Sequence, residues 1–156
     1  MANPKVTWYD DTNTQLVSQW LIPTTDAGSV SQQKSFLIWN NRGENTAVAD
    51  MYNCVITTKD SAGGNTGELV MNKWIEVKVD TMNETNFTPI GGITTKAIKA
   101  GGSALATYIH GDVNDGNIAT TATQRNFAKV TLQANVPPNA TAGNYDFLTR
   151  VTYQHN

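Results

Sequence analysis

The chain has 156 residues, with 11 Lys and Arg against 13 Asp and Glu, a net charge of −2. Only 15% of its residues are charged, where about 25% is usual, and Thr, Asn and Gly take up the difference. This length suits a single domain over residues 1–156, the charge offers no basic face for nucleic acid, and no stretch approaches the ~20 apolar residues of a membrane-crossing helix.

In chain order, Val6 to Tyr9 reads as a strand. Pro4 just before it cannot donate a ladder bond and marks a start, and residues 1–9 as a whole are expected to form an N-terminal arm. Leu16 to Ile22 reads as a second strand, with polar loops at Asp10 to Thr14 and Ile22 to Gln32. Lys34 to Trp39 and Met51 to Thr58 carry apolar residues on both faces, as strands in the middle of a sandwich do. Between them Asn41-Arg42-Gly43 supplies a turn.

Ile75, Val77 and Val79 alternate with Glu76, Lys78 and Asp80, the period of a half-buried strand. Trp74 is out of phase with the apolar set and is expected on the exposed side. Leu105, Thr107 and Ile109 give the next alternation. Ala128, Val130, Leu132, Ala134 and Val136 give another, and Tyr145, Phe147, Thr149, Val151 and Tyr153 the last. Turn residues at Gly63-Gly64-Asn65, Gly101-Gly102, Asn114-Asp115-Gly116 and Pro137-Pro138-Asn139 separate the runs. No segment shows a 3.6-residue apolar repeat, so the expected fold is all-β, a sandwich with elaborated loops.

The run Phe36-Leu37-Ile38-Trp39-Asn40-Asn41-Arg42-Gly43 and the segment Val136-Pro137-Pro138 through Ala142-Gly143-Asn144-Tyr145 resemble parts of immunoglobulin-like bacterial adhesion and sugar-enzyme accessory domains. The resemblance implies an immunoglobulin-like β-sandwich in which Trp39 is core, Gly43 and Gly143 turn the chain, and the Tyr145 hydroxyl bonds backbone as a corner. In style the chain also resembles phage virion proteins, being short, poor in cysteine and rich in Thr, Asn and Gly. Met1 to Trp8 has no apolar leader core, so the reading is a protein made in the host cytoplasm and assembled into a virion.

Candidate chemistry is thin. Asp112-Val113-Asn114-Asp115-Gly116-Asn117 has calcium-loop oxygens, but its Gly comes one place early and no Glu follows at the required distance, so a turn closed by its own Asx side chains is favoured. His110 and His155 share no ligand spacing and read as surface residues. Cys54 lies in an apolar strand and behaves as a small hydrophobe. Glu76 and Asp80 share a polar strand face with Lys78 and read as solvated. No nucleophile motif or phosphate loop occurs.

The sequence therefore predicts no catalytic residue, no cofactor and no metal site. It points to a structural phage protein, a head decoration or cement protein that binds other virion proteins, either the major capsid protein or a tail component. A homo-oligomer is compatible with this reading. The partner-binding residues would be Val6, Trp8, Tyr9 and Trp74, with Trp39, Tyr145, Gly43 and Gly143 structural. The alternative is a carbohydrate-binding or adhesive module of a surface or tail assembly.

Overall fold

Period-two alternation becomes strand wherever a partner edge is within reach. The computed structural model describes the backbone of residues 1–156 and the side chains of all but residues 121–123. The strands are β1 (Val6–Asp10), β2 (Lys34–Asn40), β3 (Tyr52–Asp60), β4 (Ile75–Val79), β5 (Thr88–Ile90), β6 (Lys96–Ala97), β7 (Phe127–Ala134) and β8 (Phe147–Gln154). Helix is confined to a single turn, α1 (Glu68–Met71), and to 3₁₀ turns at Asp80–Met82 and Thr121–Asn126.

The strands form two antiparallel sheets, ordered β1-β2-β7-β4-β5 and β6-β3-β8. The neighbours β1-β2-β7-β4 and β3-β8 stand as strands A-B-E-D and C-F do in an immunoglobulin-like sandwich. Among the described residues, no strand lies beyond β8, where strand G would lie.

The main core fills the space between the sheets. Phe36 and Ile38 of β2, Ile75, Val77 and Val79 of β4, and Ala128, Val130 and Leu132 of β7 meet Cys54 and Ile56 of β3, and Val151 and Tyr153 of β8 pack against them. A second cluster of Leu37, Trp39 and Phe127 lies on the outer face of the larger sheet, under Tyr9 and Ile118. That cluster explains why β2 is apolar on both faces.

Two expected strands are corrected. Over Leu16 to Ile22 only the first two residues pair with β1, through the Tyr9–Leu16 bridge and the Val17 N–H to the Trp8 carbonyl at 2.8 Å. The rest is an irregular strap. Leu105 to Ile109 is also irregular, because Thr107 sits at φ +60° and breaks the extended run, leaving the Met51–Ile109 bridge and single bonds from the Cys54 N–H to the Thr107 carbonyl and from the Ala100 N–H to the Tyr108 carbonyl.

Trp74 is a third correction, being only 4% exposed. β4 starts at Ile75, so its alternation does not reach back to Trp74. A turn at Lys73 (φ +54°) directs the indole into the core instead.

The N-terminus is tied down along its length. Residues Val6 to Asp10 pair with β2, the Ala49 N–H reaches the Ala2 carbonyl at 2.8 Å, and the Lys5 N–H donates to Asn40 Oδ1 at 3.0 Å. Val6 and Trp8 pack on the main core. Removing residues 1–10 should therefore abolish the cooperative thermal transition. A truncated chain that melts at the parental temperature would show β1 to be dispensable.

Candidate binding cleft

The strap over residues 17–27 crosses the open side of the sandwich. Its anchor is Trp20, edge-on to Phe36 of β2 at 6.1 Å and to Phe147 of β8 at 5.9 Å. Val17 and Ile22 pack on the same core. Between the strap, residues 140–147 and the start of β8 lies a cleft of about 1020 Å³, at the upper end of the ~300–1,000 Å³ usual for ligand pockets.

Trp8, Trp74, Tyr145 and Gly143 all line this cleft. The Trp74 and Tyr145 rings meet edge-on at 4.8 Å. The Tyr145 hydroxyl lies 2.7 Å from Glu68 Oε2 and also contacts the Thr141 carbonyl, four residues upstream. Thr141 closes the set, its N–H 3.2 Å from Glu68 Oε2 and its hydroxyl 3.1 Å from Oε1. The hydroxyl bond holds the Glu68 carboxyl below its ordinary 4.5, and the same bond raises the Tyr145 phenol above its ordinary 10.0. Gly143 has φ +155° with nothing near its missing Cβ.

The other sequence-selected residues lie away from the cleft. Val6 packs on the main core. Tyr9 sits on the outer face under the Arg42 guanidinium, 3.8 Å from its ring centre. Trp39 is fully buried and donates from Nε1 to Asn13 Oδ1 at 3.0 Å. Gly43 turns at φ +69° and faces Gly116, whose added Cβ would come 3.3 Å from the Gly43 Cα, so the two loops meet backbone to backbone.

The chemistry-bearing groups elsewhere are bonded internally. His110 is 2% exposed, which corrects the surface reading. Its Nε2 accepts from the Leu105 N–H at 3.2 Å, and Nδ1 lies 3.2 Å from Asp50 Oδ2. The Leu105 bond leaves the ring proton to Nδ1, where Asp50 can accept it, and Arg125 Nη2 lies 3.2 Å from the same atom, so both ring nitrogens are engaged within the domain. In the Asp112 to Asn117 loop, Asn114 Oδ1 accepts from the Gly43 and Gly116 N–H groups and Asp115 Oδ1 from Asn117. Burial pushes the Cys54 thiol up to about 12. Among the described residues, no three His, Cys, Asp or Glu side chains gather as a metal site.

Sequence reasoning missed three fully buried carboxamides. Asn40 donates to the Ala49 carbonyl at 3.0 Å and to that of Ile109 at 3.3 Å. Asn41 reaches Thr46 at 2.9 Å and Gly111 at 3.0 Å, and Asn126 reaches His110 at 2.9 Å and Asp112 at 3.0 Å. Their signal is long-range, since the loop they bind lies about 70 residues beyond Asn40 and Asn41. No family model, no curated protein and no solved structure matches the chain.

Three outcomes are expected. Asn126→Leu should lower unfolding free energy by about 1–3 kcal/mol, because it removes the donor to the buried His110 carbonyl. An unchanged denaturant midpoint would refute that role. Native Cys54 should resist an aromatic disulfide reagent at pH 8 and react only as fast as the protein unfolds, because the thiolate is the attacking form.

Tyr145→Phe should lower the denaturant midpoint at neutral pH. Because the folded Glu68 pKa is depressed, the bond's contribution is fully present above 4.5 and is lost as pH falls through the lowered value. The gap between parent and variant should therefore narrow in acid. A gap that is constant from pH 7 to pH 3 would show that Glu68 is not the partner that matters.

Proposed function

We propose that this protein is a non-enzymatic structural protein of a phage virion, a head decoration or cement protein that binds the capsid surface and is assembled in the host cytoplasm. The observation that carries the binding role is the outer side of β8, an eight-residue strand that has no neighbour there among the described residues. A long open edge is a template for pairing with another chain. The internal bonding of His110 and Glu68 and the burial of the Cys54 thiol support a role without turnover. The virion assignment rests on the style of the sequence.

The test is binding to purified phage heads that lack the protein. Saturable co-sedimentation at a fixed ratio to the major capsid protein is expected, and Thr152→Lys on the exposed side of β8 should reduce occupancy. Failure to bind heads while binding tails would move the protein to a tail position. Failure to bind either would overturn the virion reading. A carbohydrate-binding or adhesive module is the second reading, favoured by the aromatic lining of the cleft from Trp8, Trp20, Trp74 and Tyr145. Saturable binding of an oligosaccharide from a glycan panel would support it.

A further inference from the structure

The cleft has two walls of unused backbone. Among the described residues, no backbone–backbone hydrogen bond joins residues 18–25 to any other segment, and β8 pairs only with β3. An extended chain lying between them could bond to the free edge of β8, as any added strand does.

The side chains restrict what such a strand would carry. The floor is apolar, built from Trp8, Phe36, Trp74 and Val136, and the Trp74 indole N–H has no acceptor within the domain. Leu21 and Leu148 stand 76% and 40% exposed beside it. The charged residues lining the cleft are Asp26 and Asp146, both exposed and both acidic, and no Lys or Arg lines it. Since successive side chains of a strand point to opposite faces, a matching strand alternates aliphatic residues toward the floor with basic residues toward the acidic rim.

We propose that this cleft binds an extended segment of a partner protein, alternating aliphatic with Lys or Arg residues, as an added strand on β8. The proposal rests on the protein-docking role given above and names its site and the chemistry of its partner.

The experiment titrates the full chain with a blocked octapeptide of alternating Lys and Val, followed by calorimetry and by amide exchange of residues 147–154. Saturable binding with new protection confined to alternate β8 amides is expected. Replacing Lys by Glu in the peptide should abolish binding. The double variant Asp26→Asn with Asp146→Asn should weaken it about fivefold while keeping the parental melting temperature, and 0.5 M NaCl should do the same.

Equal binding of the Glu peptide, no saturable binding, or protection outside β8 would overturn the proposal. So would an oligosaccharide, or a second copy of this chain, taking the cleft in place of the peptide. If the octapeptide binds but phage heads do not, the cleft assignment stands and the virion reading falls. If the double variant occupies heads undiminished and the peptide does not compete, the virion reading stands and this proposal falls.

Discussion

At ~4.8 Å between strands, a sheet of five strands is roughly 24 Å wide and one of three roughly 14 Å. The smaller sheet of this sandwich cannot cover the larger one, and most other features follow from that mismatch. Apolar side chains left uncovered by β3, β6 and β8 must be closed over by segments that are not strands. The strap does so with Val17, Trp20 and Ile22, and the stretch after β6 does so with Ile98, Ala100, Ala104 and Ile109.

Covering a core with irregular chain raises a hydrogen-bonding problem, because buried carbonyls need donors that no ladder supplies. The three buried asparagines answer it. A carboxamide offers two N–H donors without charge, whereas a buried ammonium would bring a desolvation cost. Asn40 is the last residue of β2 and pairs with Val6, Asn41 follows it, and Asn126 precedes β7, so the donors are fixed by the larger sheet while the acceptors lie on the loops. The loops are thereby held by the rigid part of the molecule. The close meeting of Gly43 and Gly116 belongs to the same seam.

This division sets what was legible in the sequence. β2, β3, β4, β7 and β8 announce themselves because local alternation and tertiary burial agree there. Leu16 to Ile22 and Leu105 to Ile109 have the residues of strands but lack the edge to pair with along their length. Trp74 was misplaced because parity was extended across a helix-to-strand turn, and His110 because its burial depends on Leu105, Asp50 and stacking on Tyr108. Of the cleft, Trp8, Trp74, Tyr145 and Gly143 were each singled out, but for unrelated reasons. Nothing in the spacing showed that they converge, that Asp26 and Trp20 join them, or that Glu68 bonds the Tyr145 hydroxyl.

The open edge of β8 also has a physical reason to stay open. The strap has strand-forming residues and lies beside that edge, so its failure to pair needs an explanation. In a strand, residues an odd number apart face opposite ways. Val17 and Trp20 are so spaced, as Trp20 and Ile22 are not, yet all three pack on the core. Zipping the strap onto β8 would expose either Val17 or the Trp20–Ile22 pair. Half-burial of Trp20 alone is worth roughly 2–3 kcal/mol, from ~150–250 Å² of ring surface at ~25 cal/mol per Å². Each new backbone bond would return only about 0.5–1.5 kcal/mol net, and Pro23 has no N–H to give. The irregular strap keeps all three anchors on the core, a spacing no single strand can satisfy, and the edge of β8 is left to a chain whose side chains do alternate.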